Sequence, residues 1–200
     1  MRFLTIILVC SVVLGGCGLH WMKQAAMKQE AAFKEYDKKN PQIALGMGQK
    51  TYSISQKLLA KAIIQTLANR GLKVLTVDYD IGVIVAEGNT FLSRNKFLDV
   101  MRNHLEKNRQ TVIGDNSVLS AGYPYGGYNL TVSVNVYDKE GEKSLAKVNF
   151  SAKQKTQVIG LFGMRNYDII PSDLLVAYYQ NFWADVDKAI FMQRETILEK

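Results

Sequence analysis

The chain has 200 residues, 48% of them hydrophobic and 22% charged, a balance that suits one compact domain or two small ones and excludes intrinsic disorder and collagen-like or low-complexity architectures. Cys10, Cys17, His20 and His104 are all the cysteines and histidines, so neither a disulfide framework nor a four-ligand zinc site is expected from these residue types. The formal charge of +7 favours anionic partners without naming one. The first element is a run that is apolar from Phe3 to Leu14 apart from Thr5 and Ser11, preceded by Arg2 and followed by Gly15 and Gly16. That is the anatomy of a secretion signal. Spanning a hydrocarbon core takes about 20 apolar residues, so the run is too short for a transmembrane anchor.

The junction Leu14-Gly15-Gly16-Cys17 resembles the lipobox of bacterial lipoproteins. The resemblance implies removal of a signal peptide, residues 1–16, with Cys17 becoming the first mature residue and carrying the lipid. Gly18 rather than aspartate follows, which in many such lipoproteins implies passage to the outer membrane. An ordinary cleaved signal with an incidental cysteine is the alternative. One acyl chain binds a bilayer only marginally, whereas the two or three that the family carries attach it stably.

Leu19 to about Lys38 predicts a membrane-proximal helix, with Trp21, Met22, Ala25, Ala26, Ala32, Phe33 and Tyr36 near helical spacing. It serves either as a stalk or as an apolar stripe lying in the headgroups or gripping a partner. Asn40-Pro41 is expected to end it, and Gly46 and Gly48 to make a loop. Residues 17–48 are therefore taken as lipid anchor, helix and linker, and 49–200 as the periplasmic domain. A short strand near Lys50 to Ser53 leads into Ser53-Ile54-Ser55-Gln56, a capping-box pattern opening a helix that Gly71 closes. Leu72 to Asp78 and Gly82 to Glu87 should pair as a hairpin. Ser93 can cap a helix to about Lys107, with Phe97, Leu98, Met101 and Leu105 inward, and Thr111 to Gly127 is loop-rich. Leu130, Val132, Val134 and Val136 alternate with polar residues, as do Ala146, Val148, Phe150 and Ala152, so these runs predict a hairpin with one buried and one wet face. An apolar loop from Val158 to Ile170 precedes Pro171 and Ser172, which introduce a long helix whose broad apolar face includes Leu174, Tyr178, Phe182 and Val186. The expected fold class is α+β: an antiparallel sheet with helices packed on one face and a long C-terminal helix, helix-grip-like.

Leu59 to Leu67, followed by Arg70-Gly71-Leu72-Lys73-Val74 and Asp80-Ile81-Gly82-Val83-Ile84-Val85-Ala86, resembles a helix, strand and turn unit of uncharacterised proteobacterial outer-membrane lipoproteins. The tail from Tyr179 to Met192 is similar to the closing helix of the same group. A looser similarity runs to the helix-grip domains of BamC-type lipoproteins of the outer-membrane barrel-assembly machine, from which the helix Ser93 to Lys107 and the Tyr-rich loop depart. These resemblances imply a periplasmic binding or assembly module and supply no catalytic residues.

The residues themselves offer few parts for catalysis. His104 sits among Arg102, Asn103 and Glu106 on the polar side of its helix, and His20 lies beside the lipid. No nucleophile elbow, phosphate loop, zinc-protease or dinucleotide motif occurs. Asp78 and Asp80 straddle Tyr79 and read better as turn-stabilising side chains than as a carboxylate pair. No enzyme activity, cofactor or metal is expected.

Binding is expected instead. Arg94, Lys96, Arg102, Lys107 and Arg109 on one helix are candidates for anionic-lipid contact, and Lys147, Lys153 and Lys155 form a second basic group on the wet strand face. Leu161, Phe162 and Met164 in a glycine-flexible loop, and Tyr123 and Tyr125 in another, are candidates for partner or membrane contact, with folding back onto the core as the alternative for each. The expected partners are the membrane, through the N-terminal lipid, and an envelope protein; the export signal excludes nucleic acid, and no small-molecule ligand is expected. The leading expectation is an outer-membrane lipoprotein facing the periplasm, a binding or structural subunit of a cell-envelope assembly. The alternative is a carrier or sensor of a hydrophobic or anionic lipid ligand.

Overall fold

The computed structural model describes residues 34–107, 128–140, 142–154, 158–160, 163–165 and 170–198. The chain divides into two units, Met1–Lys38 and Lys39–Lys200. Residues 34–38 of the first unit are helical. In the second, α1 covers residues 39–47 and is followed by β1 (Gln49–Tyr52), α2 (Gln56–Asn69), β2 (Lys73–Asp78), β3 (Val83–Gly88) and α3 (Arg94–Lys107). Then come β4 (Tyr128–Lys139), β5 (Lys143–Gln154), β6 (Val158–Gly160), β7 (Gly163–Arg165) and the long α4 (Ser172–Leu198).

The fold is α+β: a five-stranded antiparallel open sheet in the order β1-β5-β4-β3-β2, with helices and a long C-terminal helix. Its frame is the β4–β5 hairpin, whose continuous register sets Leu130 opposite Ala152, Val132 opposite Phe150, Val134 opposite Val148 and Val136 opposite Ala146. In β4 the apolar member of each of these pairs is buried, and the intervening Thr131, Ser133 and Asn135 are half-buried on the other face. Strict period two therefore sorts the two faces as the pattern requires. β3 adds Ile84 and Ala86 to the buried face.

Helices α2 and α4 close over that face. Leu59, Ala62, Ile63 and Leu67 of α2 are fully buried, as are Phe182 and Val186 of α4. At the centre Phe150 of β5 meets Phe91, Tyr178, Tyr179 and Phe182 at ring-centroid distances of 5.8, 5.4, 5.1 and 5.9 Å. Edge-to-face and tilted aromatic contacts of this kind add to the free energy of burial. α2 ends in a Schellman motif: Leu72 N donates to Leu67 O (3.0 Å), Gly71 N donates to Ala68 O (2.9 Å), and Gly71 takes φ +74.

Three local expectations need correction. The helix does not end at Asn40-Pro41 but runs through residue 47, so Gly46 is helical. Pro41 removes one helical hydrogen bond, yet Asn40 fastens this turn to the start of α4. Its Nδ2 donates to Ile170 O (2.8 Å), and its Oδ1 accepts from Ser172 Oγ (2.8 Å). The indole Nε1 of Trp183 donates to Met47 O (2.7 Å) at the helix's other end. The cap of α2 is Ser55 rather than Ser53. Ser55 Oγ accepts from Leu58 N, and Gln56, now the first helical residue, reaches Val136 O with Nε2 (2.8 Å) instead of closing a capping box. Finally, the stretch from Val158 is not all loop, for β6 and β7 pair with Ile159 opposite Met164. Three-residue strands are too short to show period two in a sequence.

Candidate docking surface

The face of the sheet turned away from the buried side chains is built from the odd-numbered residues of β3, β4 and β5. At one end it is apolar. Tyr137, 44% exposed, stands opposite Leu145, and Val83 and Val85 follow on the neighbouring strand. Val136 N donates to Gly82 O (2.7 Å), which carries the β3–β4 pairing one residue further, and Ile81, 65% exposed, precedes Gly82 in the turn. In β2 the register slips between Val74 and Thr76, and the extra residue of this bulge, Leu75, is 47% exposed. Tyr79 is exposed in the adjoining turn.

That turn is preorganised. Asp78 Oδ1 accepts from the amides of Asp80 (3.0 Å) and Ile81 (3.1 Å), the expected turn-stabilising role for Asp78. Gly82 follows at φ +72, and a Cβ there would lie 1.9 Å from Val136 O. The carboxylate of Asp78 thus holds Ile81 in place.

Along the rest of the face β4 and β5 carry short polar side chains and lysines, and Glu87 of β3 is exposed opposite Thr131. Thr131 stands opposite Ser151, Ser133 opposite Asn149 and Asn135 opposite Lys147. Lys139, Lys143, Lys147 and Lys153 are exposed on the same face, and the ammonium of Lys147 lies 5.7 Å from the centre of the Tyr137 ring.

Two other polar clusters are fastenings. Lys50 and Tyr52 of β1 both hold Asp187 of α4: Lys50 Nζ lies 2.7 Å from its carboxylate, and Tyr52 OH donates to Oδ1 at 2.9 Å. Burial first, and then the adjacent Asp187, raise the Tyr52 phenol above its ordinary value of 10.0, so it stays a neutral donor. Arg70 Nε donates to Asp185 Oδ2 (2.6 Å) beside a hollow of about 350 Å³ between the end of α2 and the β3–α3 connection, lined by Asn69, Asn89 and Thr90 among others. This hollow is polar, unlike the apolar space between α4 and the sheet that a carrier of hydrophobic ligands requires.

Of the candidate contacts read from sequence, Cys17, Tyr123, Tyr125, Leu161, Phe162, Arg109 and Lys155 lie outside the described residues. Arg94 and Lys107 are placed on α3 and Met164 on β7 by backbone alone, and Arg102 is exposed on α3. The structure adds Leu75, Tyr79, Ile81 and Tyr137. Only Tyr137, a large aromatic where the wet face was due a small polar residue, left a signal in the sequence. Among the described residues no group of three or more His, Cys, Asp or Glu side chains is placed to hold a metal ion, and no helix is long and apolar enough to cross a membrane. No protein-family model matches the sequence, and no curated protein aligns with it significantly.

Proposed function

We propose that this protein is a lipoprotein anchored in the outer membrane through Cys17, facing the periplasm, and that it works without catalysis as a binding subunit of a cell-envelope assembly. The anchoring rests on Leu14-Gly15-Gly16-Cys17 and the apolar run before it. The observation that carries the binding role is the exposure of four large apolar side chains, Tyr137 on the open sheet face and Leu75, Tyr79 and Ile81 on β2 and the turn after it, which are 44%, 47%, 50% and 65% exposed. Single exposed apolar residues are ordinary; several on two adjoining hairpins of one sheet mark a contact surface. An envelope protein that covered them would gain about 25 cal/mol per Å² of apolar surface removed from water, before the costs of association.

Affinity purification from native membranes in mild detergent tests this reading. The wild-type chain should recover an envelope protein that the double variant Leu75→Ser, Ile81→Ser recovers several-fold less, while Cys17→Ser should leave the membrane fraction. No co-purifying protein, or equal recovery by the double variant, would overturn it.

A further inference from the structure

The polar part of the open sheet face is distinct in chemistry from the apolar docking surface. From Asn129 to Lys139, β4 spans roughly 34 Å at about 3.4 Å per residue. Over that length β4 and β5 carry Lys139 directly opposite Lys143, Lys147 opposite Asn135 and Lys153 opposite Asn129. Between them lie the hydroxyl and amide pairs Thr131 with Ser151 and Ser133 with Asn149. Every basic side chain on this stretch is lysine; Glu140 and Glu142 lie in the turn beyond its end, and Glu87 of β3, exposed and opposite Thr131, puts a carboxylate beside the array. Cross-strand neighbours stand about 5 Å apart, so the array is a continuous strip of adjoining side chains.

We propose that this face binds a linear anionic polysaccharide of the carboxylate-bearing, uronate type, laid along the β4–β5 hairpin. Lys147 and Lys153, six residues apart on β5 and so roughly 20 Å from one another, are too far apart to share one small anion and match a polymer with repeated charges. Ser133, Asn149, Thr131 and Ser151 supply donors and acceptors for sugar hydroxyls. The exposed Tyr137 ring, with the Lys147 ammonium 5.7 Å from its centre, offers a flat platform against which a sugar ring can lie beside a cation. A protein partner favours the apolar docking surface, where free energy is gained by leaving water. The lysine and hydroxyl array gains little from that and more from multiple hydrogen-bonded charges. The inference goes beyond the protein-docking role and does not need Leu75 or Ile81.

The test uses the full lipidated chain in nonionic detergent and alginate, a linear uronate polymer, as probe. Binding should weaken as salt is raised, as for exposed charges. It should fall about tenfold in Lys147→Gln, Lys153→Gln, each lysine contributing a modest exposed charge contact. Asn149→Ala should also weaken it, whereas Leu75→Ser, Ile81→Ser should leave it unchanged. Uncharged dextran should not bind. Equal binding of polyglutamate or of phosphatidylglycerol vesicles would show a response to negative charge alone and overturn the proposal, as would alginate binding unaffected by the lysine pair. Failure of the wild-type chain to bind alginate while it still recovers an envelope protein would reject this inference and leave the protein-docking role standing.

Discussion

Tyr179 and Tyr52 show how differently two phenols can be used. Tyr179 is fully buried, packs edge-to-face on Phe150 and has no hydrogen-bond partner for its hydroxyl among the described residues, whereas Tyr52 OH is held by Asp187. Burial raises the pKa of both, with Asp187 adding to the effect at Tyr52. A phenol whose folded pKa is raised contributes stability that is complete below its unfolded value of 10.0 and is lost as pH climbs through the folded value, because the unfolded chain releases its proton first. Urea unfolding should therefore show stability falling from about pH 10 upward, with a shallower decline in Tyr52→Phe and in Tyr179→Phe than in the wild type. At pH 7 the two variants should part. Tyr179→Phe removes a buried group that makes no bond among the described residues and should be neutral or stabilising by up to about 1 kcal/mol, while Tyr52→Phe loses a charge-assisted bond and should cost about 1 kcal/mol.

At the scale of elements, glycines 71 and 82 have almost the same backbone angle, φ +74 and +72, yet play unequal parts. Gly71 closes the Schellman motif of α2 in open space, with no neighbouring atom within 4 Å of where a Cβ would stand, so Gly71→Ala should cost only the left-handed strain, about 1–2 kcal/mol. Gly82 adds a collision with the backbone carbonyl of Val136 and sits in the turn that presents Ile81. Gly82→Ala should therefore cost distinctly more, about 3 kcal/mol or above, and reduce partner recovery along with stability. Thermal melts of the two variants, read side by side, check the difference. Gly71 was legible in the sequence as the helix terminator, whereas Gly82, expected to open a strand, lies in the turn before β3. Their ranking was not, because the carbonyl that crowds Gly82 belongs to a distant strand, β4.

For the molecule as a whole, Phe150 is the junction. It stands on the sheet, touches Tyr178, Tyr179 and Phe182 of α4, and meets Phe91 from the β3–α3 connection. Phe150→Ala should cost about 3–5 kcal/mol, the range for deleting a large aromatic from a packed core. Its urea curve should shift as one transition reported equally by near- and far-ultraviolet circular dichroism, since the sheet and α4 share this cluster. Two separate transitions would mean that α4 does not depend on the aromatic junction.

The sequence by itself determined what depends on residues close together in the chain. Alternation through Leu130, Val132, Val134 and Val136 and again through Ala146, Val148 and Phe150 specified the hairpin and its buried face, and the apolar spacing of α2 and α4 specified their inward sides. Only the tertiary structure decided how distant pieces meet. β1 joins the sheet beside β5 and is clasped by Asp187, across 137 residues from Lys50; Asn40 carries a helix through Pro41 by bonding to Ile170 and Ser172. The docking surface is of the same kind, for Leu75 and Ile81 come from one hairpin and Tyr137 from another, and the pairing of β3 with β4 brings those hairpins into one sheet. Local pattern records which way a side chain points along its own element, whereas a surface is made by the register between elements, and that register is set by packing across the whole sheet.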